Sequence, residues 1–337
     1  MDWFERLTGF REVDYEGTRQ RLEVAGDELR SRVNGRTYGI GTLEIVSLSS
    51  LRERHIAGGG LPGRIRVGFL NGDVRKFHAE PGFSGALFQV ASQFNLLEMT
   101  SPDVVPEDGV AGYRHDRTQG PACAIAAGAA TIYRNYFVPV DGAVGQTRER
   151  QLDMLADLGE ALALALDRSV RELWAMRNGY ALCTPDGLRA ISGYLQTMDP
   201  ESLDALRGKL RIGWHRDVDV TDAGSSPRPV VSQAFCSALP VAYSRIAPED
   251  WAPFASLILE AAYEATMLAA ASTARRGGSG TVLLTRLGGG AFGNNDAWID
   301  AAIARAIERM KSTDLDVRLV SYGNAIPSMA WLAERYS

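Results

Sequence analysis

TVLLTRLGGGAFGNNDAWIDAAIARAIERM, residues 281–310, is the stretch from which the fold is read. Thr281 to Leu287 is a short apolar run of the kind that forms a buried strand. Ile299, Ala302, Ile303, Ala306, Ile307 and Met310 recur at three- and four-residue steps, which places them on one face of a helix. Val317 to Tyr322 supplies a second strand. Strand, glycine loop, helix and strand in this order make a βαβ unit, so a parallel pair with a crossover helix is expected.

The loop Leu287-Gly-Gly-Gly-Ala-Phe-Gly293 leaves the end of a strand and enters a helix, the edge at which open α/β sheets hold ligands. Free N–H groups at the helix start, beside glycines that permit positive φ and close approach, suit an anion. Three adjacent glycines in an empty turn would cost backbone entropy for no return, so a phosphate is the favoured occupant. Asn294, Asn295 and Asp296 are candidate helix caps. Gly288, Gly290 and Gly293 also fit GxGxxG, the fingerprint of nicotinamide-dependent oxidoreductases. That fingerprint belongs to the first βα turn of a long nucleotide domain, whereas this loop lies near the end of the chain. No Gly-Lys-Ser/Thr follows it, which excludes a Walker loop.

Working outward, Trp251 to Ala271 has helical spacing, and VVSQAFCSALPVAY (230–243) reads as a central strand. Strands are expected at Trp174–Cys183 and Leu210–Val220 with helix between them at 188–206, and a further helical pattern covers 146–170. ALFQVASQFNLLEM (86–99) suits a buried strand. RIRVGFLNGDVRKFHAE (64–80) carries two alternating runs around Asn71-Gly72-Asp73, the signal of a hairpin. Residues 1–60 are polar and close on Gly58-Gly59-Gly60, so they are expected to form an N-terminal extension on a flexible link, with residues 61–337 as the ligand-binding catalytic domain.

Composition narrows the function. The 337 residues are 45% hydrophobic and carry a net charge of −5 with dispersed basic residues, an unsuitable balance for a duplex nucleic-acid binder. The N-terminus lacks the pattern of a signal peptide, and no stretch is read as reaching the roughly 18 apolar residues of a membrane span, so a cytoplasmic location without membrane attachment is expected. Three separated cysteines and four histidines show no metal-ligand spacing, so no metal site is expected.

A second loop carries the acids. Glu98, Asp103, Glu107, Asp108 and Asp116 lie between an expected strand and a helix starting near Gln119-Gly120-Pro121, which places them on the same sheet edge as the glycine loop. Carboxylates beside a bound sugar can protonate a leaving group, orient water or steady an oxocarbenium-like centre. Each acid alone is more simply a solvated loop residue. Gln93 and Asn95 in the 86–99 run, and Ser232 and Gln233 in the 230–243 run, are either satisfied buried amides and hydroxyls or ligand contacts. Tyr322, Gly323 and Asn324 end the last strand at the same edge, where an adenine or ribose contact is expected.

LLTRLGGGAFGNNDAWIDAAIARAI resembles the second phosphate-binding loop and helix of macrodomains, and QVASQFNLLEMTSPDVVPEDGVAGYRHDRTQGPACAIAAGAATIYRNYF resembles the first loop of a divergent branch. That branch looks like the MavL-type arginine-specific ADP-ribosylhydrolases, distantly akin to poly(ADP-ribose) glycohydrolases. The resemblance covers about residues 60–330 in the order of elements. It implies a macrodomain-like three-layer α/β/α fold with a mixed, largely parallel central sheet. It also implies an ADP-ribose diphosphate cradled by Gly288, Gly289, Gly290, Ala291, Phe292, Gly293 and Asn294, with Gln93, Asn95, Gln119, Gly120 and Asn324 as further ligand contacts. Asp103, Asp108 and Asp116 would be the catalytic aspartates, with Glu98 beside them. The chain has no Asn-Ala-Ala-Asn at the first loop and no adjacent Gln-Glu-Glu, which counts against cleavage of the polymer. The implied activity is removal of mono-ADP-ribose from arginine side chains of a modified protein, without cofactor. A non-catalytic ADP-ribose reader and a nicotinamide-dependent oxidoreductase are the alternatives.

Overall fold

The computed structural model describes residues 1–323 and 327–336. Its centre is a seven-stranded sheet, whose strands we number in chain order: β1 (Thr42–Ser47), β2 (Arg66–Asn71), β3 (Leu87–Ala91), β4 (Arg211–Asp219), β5 (Val230–Cys236), β6 (Thr281–Leu284) and β7 (Asp316–Ser321). Their order across the sheet is β1-β4-β5-β3-β6-β7-β2. The five from β5 to β2 are parallel, while β4 pairs antiparallel with both β5 and β1. The apolar runs at β3, β5 and β6 follow from this placement, because both of their faces are covered by helices and a polar face has nowhere to point.

Helices cover both faces. On one lie α1 (Leu48–Ala57), α5 (Pro185–Thr197), α6 (Pro248–Arg275) and α7 (Asp296–Arg309), with α6 touching the other three. On the other lie α2 (Val74–Ala79), α3 (Gln119–Ala126) and α4 (Gly128–Tyr136). The result is a three-layer α/β/α fold around a mixed, largely parallel sheet. By length and composition α6 is apolar enough to cross a membrane, contrary to the reading that no stretch is; 89% of its apolar window is buried, and it forms the spine of the core.

One local reading is corrected. Asn71-Gly72-Asp73 is no hairpin turn: β2 ends at Asn71, and the Asp73 carboxylate caps α2 by accepting from the Arg75 N–H at 2.9 Å. Within the extension read at residues 1–60, β1 closes one edge of the sheet. Arg52 on α1 donates to Glu264 on α6 at 2.6 Å. Further upstream, the Glu12 carboxylate accepts from the Val110 and Ala111 N–H groups at 2.9 and 2.6 Å, tying the N-terminal segment to the acidic loop.

Candidate functional site

Five parallel strands end at one edge, and the loops leaving β3, β5 and β6 border a cleft. One wall is the glycine loop. Gly288 and Gly293 have φ of +72° and +69°, and a Cβ on Gly288 would lie 2.5 Å from the Ala238 Cβ, so this turn requires glycine there. Asn294 pins it: its Nδ2 donates to the Leu239 carbonyl at 2.8 Å, and its N–H to the Gly288 carbonyl at 2.9 Å. Among the described residues, the backbone N–H groups of Gly288, Gly290, Ala291 and Phe292 have no acceptor in the protein, and all four residues line the cleft. A wall of free N–H donors is an anion cradle that needs no cationic side chain. Arg286 at its root is already held by Asp296 and Asp300.

The opposite wall comes from the loop after β3 and the start of α3. Gly120 lets that helix begin against the end of β3, since a Cβ there would meet the Ala91 carbonyl at 1.9 Å. Thr118 precedes α3 without capping it by its side chain, and Thr118, Gln119 and Gly120 line the cleft. Glu98 lines the cleft and is 2% exposed. Its Oε1 is 3.4 Å from Arg134, and its Oε2 has no hydrogen-bond partner among the described residues. Burial raises this carboxyl to about 7 even with Arg134 alongside. A buried carboxylate oxygen without a hydrogen-bond partner costs stability, and this one lies at the wall of the cleft. Tyr180, Tyr243 and Phe292 close one side, with ring centroids 5.2 to 5.8 Å apart.

A second chamber adjoins the first and shares Asp116, Gln119 and Thr285 with it. It runs over the ends of β2, β6 and β7, past Asp73, Arg75, Arg117 and Tyr322. The groove thus crosses the whole parallel part of the sheet.

The acids read as one cluster from the sequence are separated by the fold. Glu98 and Asp116 line the cleft. Asp103 is exposed, paired with Arg177, and lines a different hollow. Asp108 is exposed and accepts from the Val105 N–H at 2.9 Å, holding its own short turn. Glu107 accepts from the Arg148 N–H at 2.9 Å. Asp103 and Asp108 are therefore outside the cleft, because the loop that carries them runs outward before returning at Asp116.

The amides divide similarly. Gln93 borders the cleft, but its Oε1 accepts from the Met99 N–H at 2.6 Å and its Nε2 donates to the Met99 carbonyl at 3.1 Å. Asn95 lies outside the cleft lining, with its Nδ2 on Gln151 at 2.8 Å and its Oδ1 accepting from the Leu97 N–H at 3.1 Å. Gln233 is buried against His78 and the Cys123 carbonyl. Gly288, Gly290, Ala291 and Phe292 face the cleft; Gly289, Gly293 and Asn294 shape the loop from behind. Asn324 lies outside the described residues. Tyr180, Tyr243 and Thr118 went unread in the sequence; only Thr118, just ahead of a helix start, carried a local signal. Among the described residues no group of three or more His, Cys, Asp or Glu side chains is arranged to hold a metal ion.

No family model matches the chain, and no curated protein matches it. Among solved structures it is similar to the poly(ADP-ribose) glycohydrolase of Thermomonospora curvata, with 13% identity, a TM-score of 0.43 and 94% of each chain covered. It is also similar to the poly(ADP-ribose) glycohydrolase of Deinococcus radiodurans in complex with ADP-ribose, with 11% identity, a TM-score of 0.43, and 87% of this chain and 93% of that one covered. The Thermomonospora curvata enzyme bound to the inhibitor ADP-HPD gives 14% identity, a TM-score of 0.41 and 94% coverage of each chain.

Proposed function

We propose that this protein is an ADP-ribosylhydrolase that releases mono-ADP-ribose from arginine side chains of modified proteins. The observation that carries the reading is the pairing, in one cleft, of free backbone N–H donors at Gly288, Gly290, Ala291 and Phe292 with the buried carboxylate of Glu98, whose Oε2 has no partner among the described residues. The donors suit a diphosphate. The adjoining chamber has room for the nucleoside end, with Tyr322 as an aromatic neighbour for the base. The distal ribose then lies towards Glu98.

In this reading the ionised Glu98 faces the anomeric carbon, steadies positive charge as the C–N bond lengthens, and takes a proton from the attacking water. The water oxygen bonds to the anomeric carbon, and the C–N electron pair stays on the guanidine nitrogen. Attached to the sugar the guanidinium is a cation; it departs as neutral guanidine and regains a proton from the Glu98 carboxyl, which restores the carboxylate. Asp116, at the junction of the two chambers, is the acid that receives the guanidinium by hydrogen bonding.

The test is release of ADP-ribose from an arginine-modified protein, alongside calorimetric titration with ADP-ribose and with NAD. Release together with tighter binding of ADP-ribose than of NAD is expected. Binding without release would make the protein a reader, and preference for NAD would point to an oxidoreductase.

A further inference from the structure

Behind Glu98, on the side away from the cleft, stands a fixed cation. Arg134 on α4 is fully buried. Its Nε donates to the Leu96 carbonyl at 3.0 Å, one terminal nitrogen donates to the Thr131 hydroxyl at 3.0 Å and reaches Glu98 at 3.4 Å, and the other lies 3.5 Å from His215 Nδ1. The guanidinium sits 3.8 Å from the centre of the Phe235 ring. Leu96 has φ of +63°, so the carbonyl that Arg134 holds belongs to a strained turn two residues before Glu98. One side chain thereby grips both the main chain that presents the carboxylate and the carboxylate itself. A planar fork can reach these acceptors together; an ammonium cannot.

We infer that Arg134 is a positioning residue for Glu98, fixing the orientation of its carboxylate and favouring the ionised form that accepts the proton. This rests on the reading of Glu98 as the working carboxylate of the cleft. The other titratable groups around Glu98 are Tyr113, whose hydroxyl accepts from the Glu98 N–H at 3.2 Å, Cys123 on α3, and Asp116 in the same cleft, with His215 beyond Arg134. Burial raises Tyr113 and Cys123 and lowers His215, which keeps all three neutral. Arg134 is thus the positive charge among them.

The experiment is the pH profile of kcat/KM for wild type, R134M, R134K, T131V and E98Q, with a thermal melt of each. Loss of the cation in R134M should move the acidic limb upward by about one pH unit or more, while the affinity for ADP-ribose stays within about threefold. R134K, which keeps the charge, should leave the limb near its wild-type position but lower kcat, because the grip on Leu96 is lost. If R134M does not fold, T131V decides, since it frees one anchor of the guanidinium and should shift the limb in the same direction by less. An E98Q variant as active as wild type would overturn the role given to Glu98. Inactive E98Q together with an unmoved limb in folded R134M, or in T131V, would overturn the inference about Arg134 alone.

Discussion

The side chain of Gln119 continues the hydrogen bonding of β3 where its neighbours part: its Oε1 accepts from the Ala91 N–H at 2.9 Å and its Nε2 donates to the Gln89 carbonyl at 2.8 Å. A ligand contact was expected of this residue, and it does border the cleft, but its polar atoms serve the backbone. Gln119→Ala leaves a donor and an acceptor without partners at the end of the central strand. The cost is expected to be about 2 kcal/mol, read as a lower urea midpoint at unchanged slope. A midpoint equal to wild type would show that water replaces the amide at no cost.

Removing the carboxylate tests the chemistry directly. Glu98→Gln preserves size and one hydrogen-bonding oxygen. Its kcat for release of ADP-ribose should fall by about 10²- to 10⁴-fold, while calorimetry returns a Kd for ADP-ribose within about threefold of wild type.

Two neighbouring glycines should respond differently. At Gly288 a side chain meets both a positive φ and the Ala238 Cβ, so Gly288→Ala should cost at least about 1 kcal/mol of stability and weaken ADP-ribose binding. A Cβ on Gly290 meets nothing within 4 Å, so Gly290→Ala should melt like wild type. It should nevertheless bind ADP-ribose more weakly, because the methyl stands where a phosphate approaches the chain. Equal affinities for wild type and Gly290→Ala would place the anion elsewhere.

Glu98 also predicts how stability varies with pH. Its carboxyl titrates near 7 in the fold against 4.5 in an open chain, so between these values the folded protein holds the extra proton. The stabilisation is fully present below 4.5 and is lost as pH rises through about 7, a loss of about 3 kcal/mol. Glu98→Gln cannot lose that proton. Denaturant titrations from pH 5 to pH 8 should show a shallower decline for the variant; parallel curves would mean that Glu98 is not desolvated.

The parts of the fold that follow from short-range periodicity were legible. From Thr281 to Ser321 the strand, glycine turn, helix and strand appear as read, because each needs only its own spacing and a neighbour close in sequence. Asn71-Gly72-Asp73 misled because the same three residues serve a hairpin or a helix cap, and the choice depends on what β2 packs against. The acidic loop was legible in composition but not in direction. Whether a loop carboxylate turns inward is fixed by distant anchors, such as Arg177 for Asp103. Glu98 meets Arg134, which also donates to the Leu96 carbonyl, and this contact spans 36 residues of sequence that no local pattern signals.

The strand order also bears on how the molecule is made. β3 is complete by residue 91, yet its two partners are β5, beginning at Val230, and β6, beginning at Thr281. On a ribosome both edges of this strand stay open until most of the chain has emerged, and an open apolar edge invites pairing with other chains. The cleft is therefore among the last features to form during synthesis.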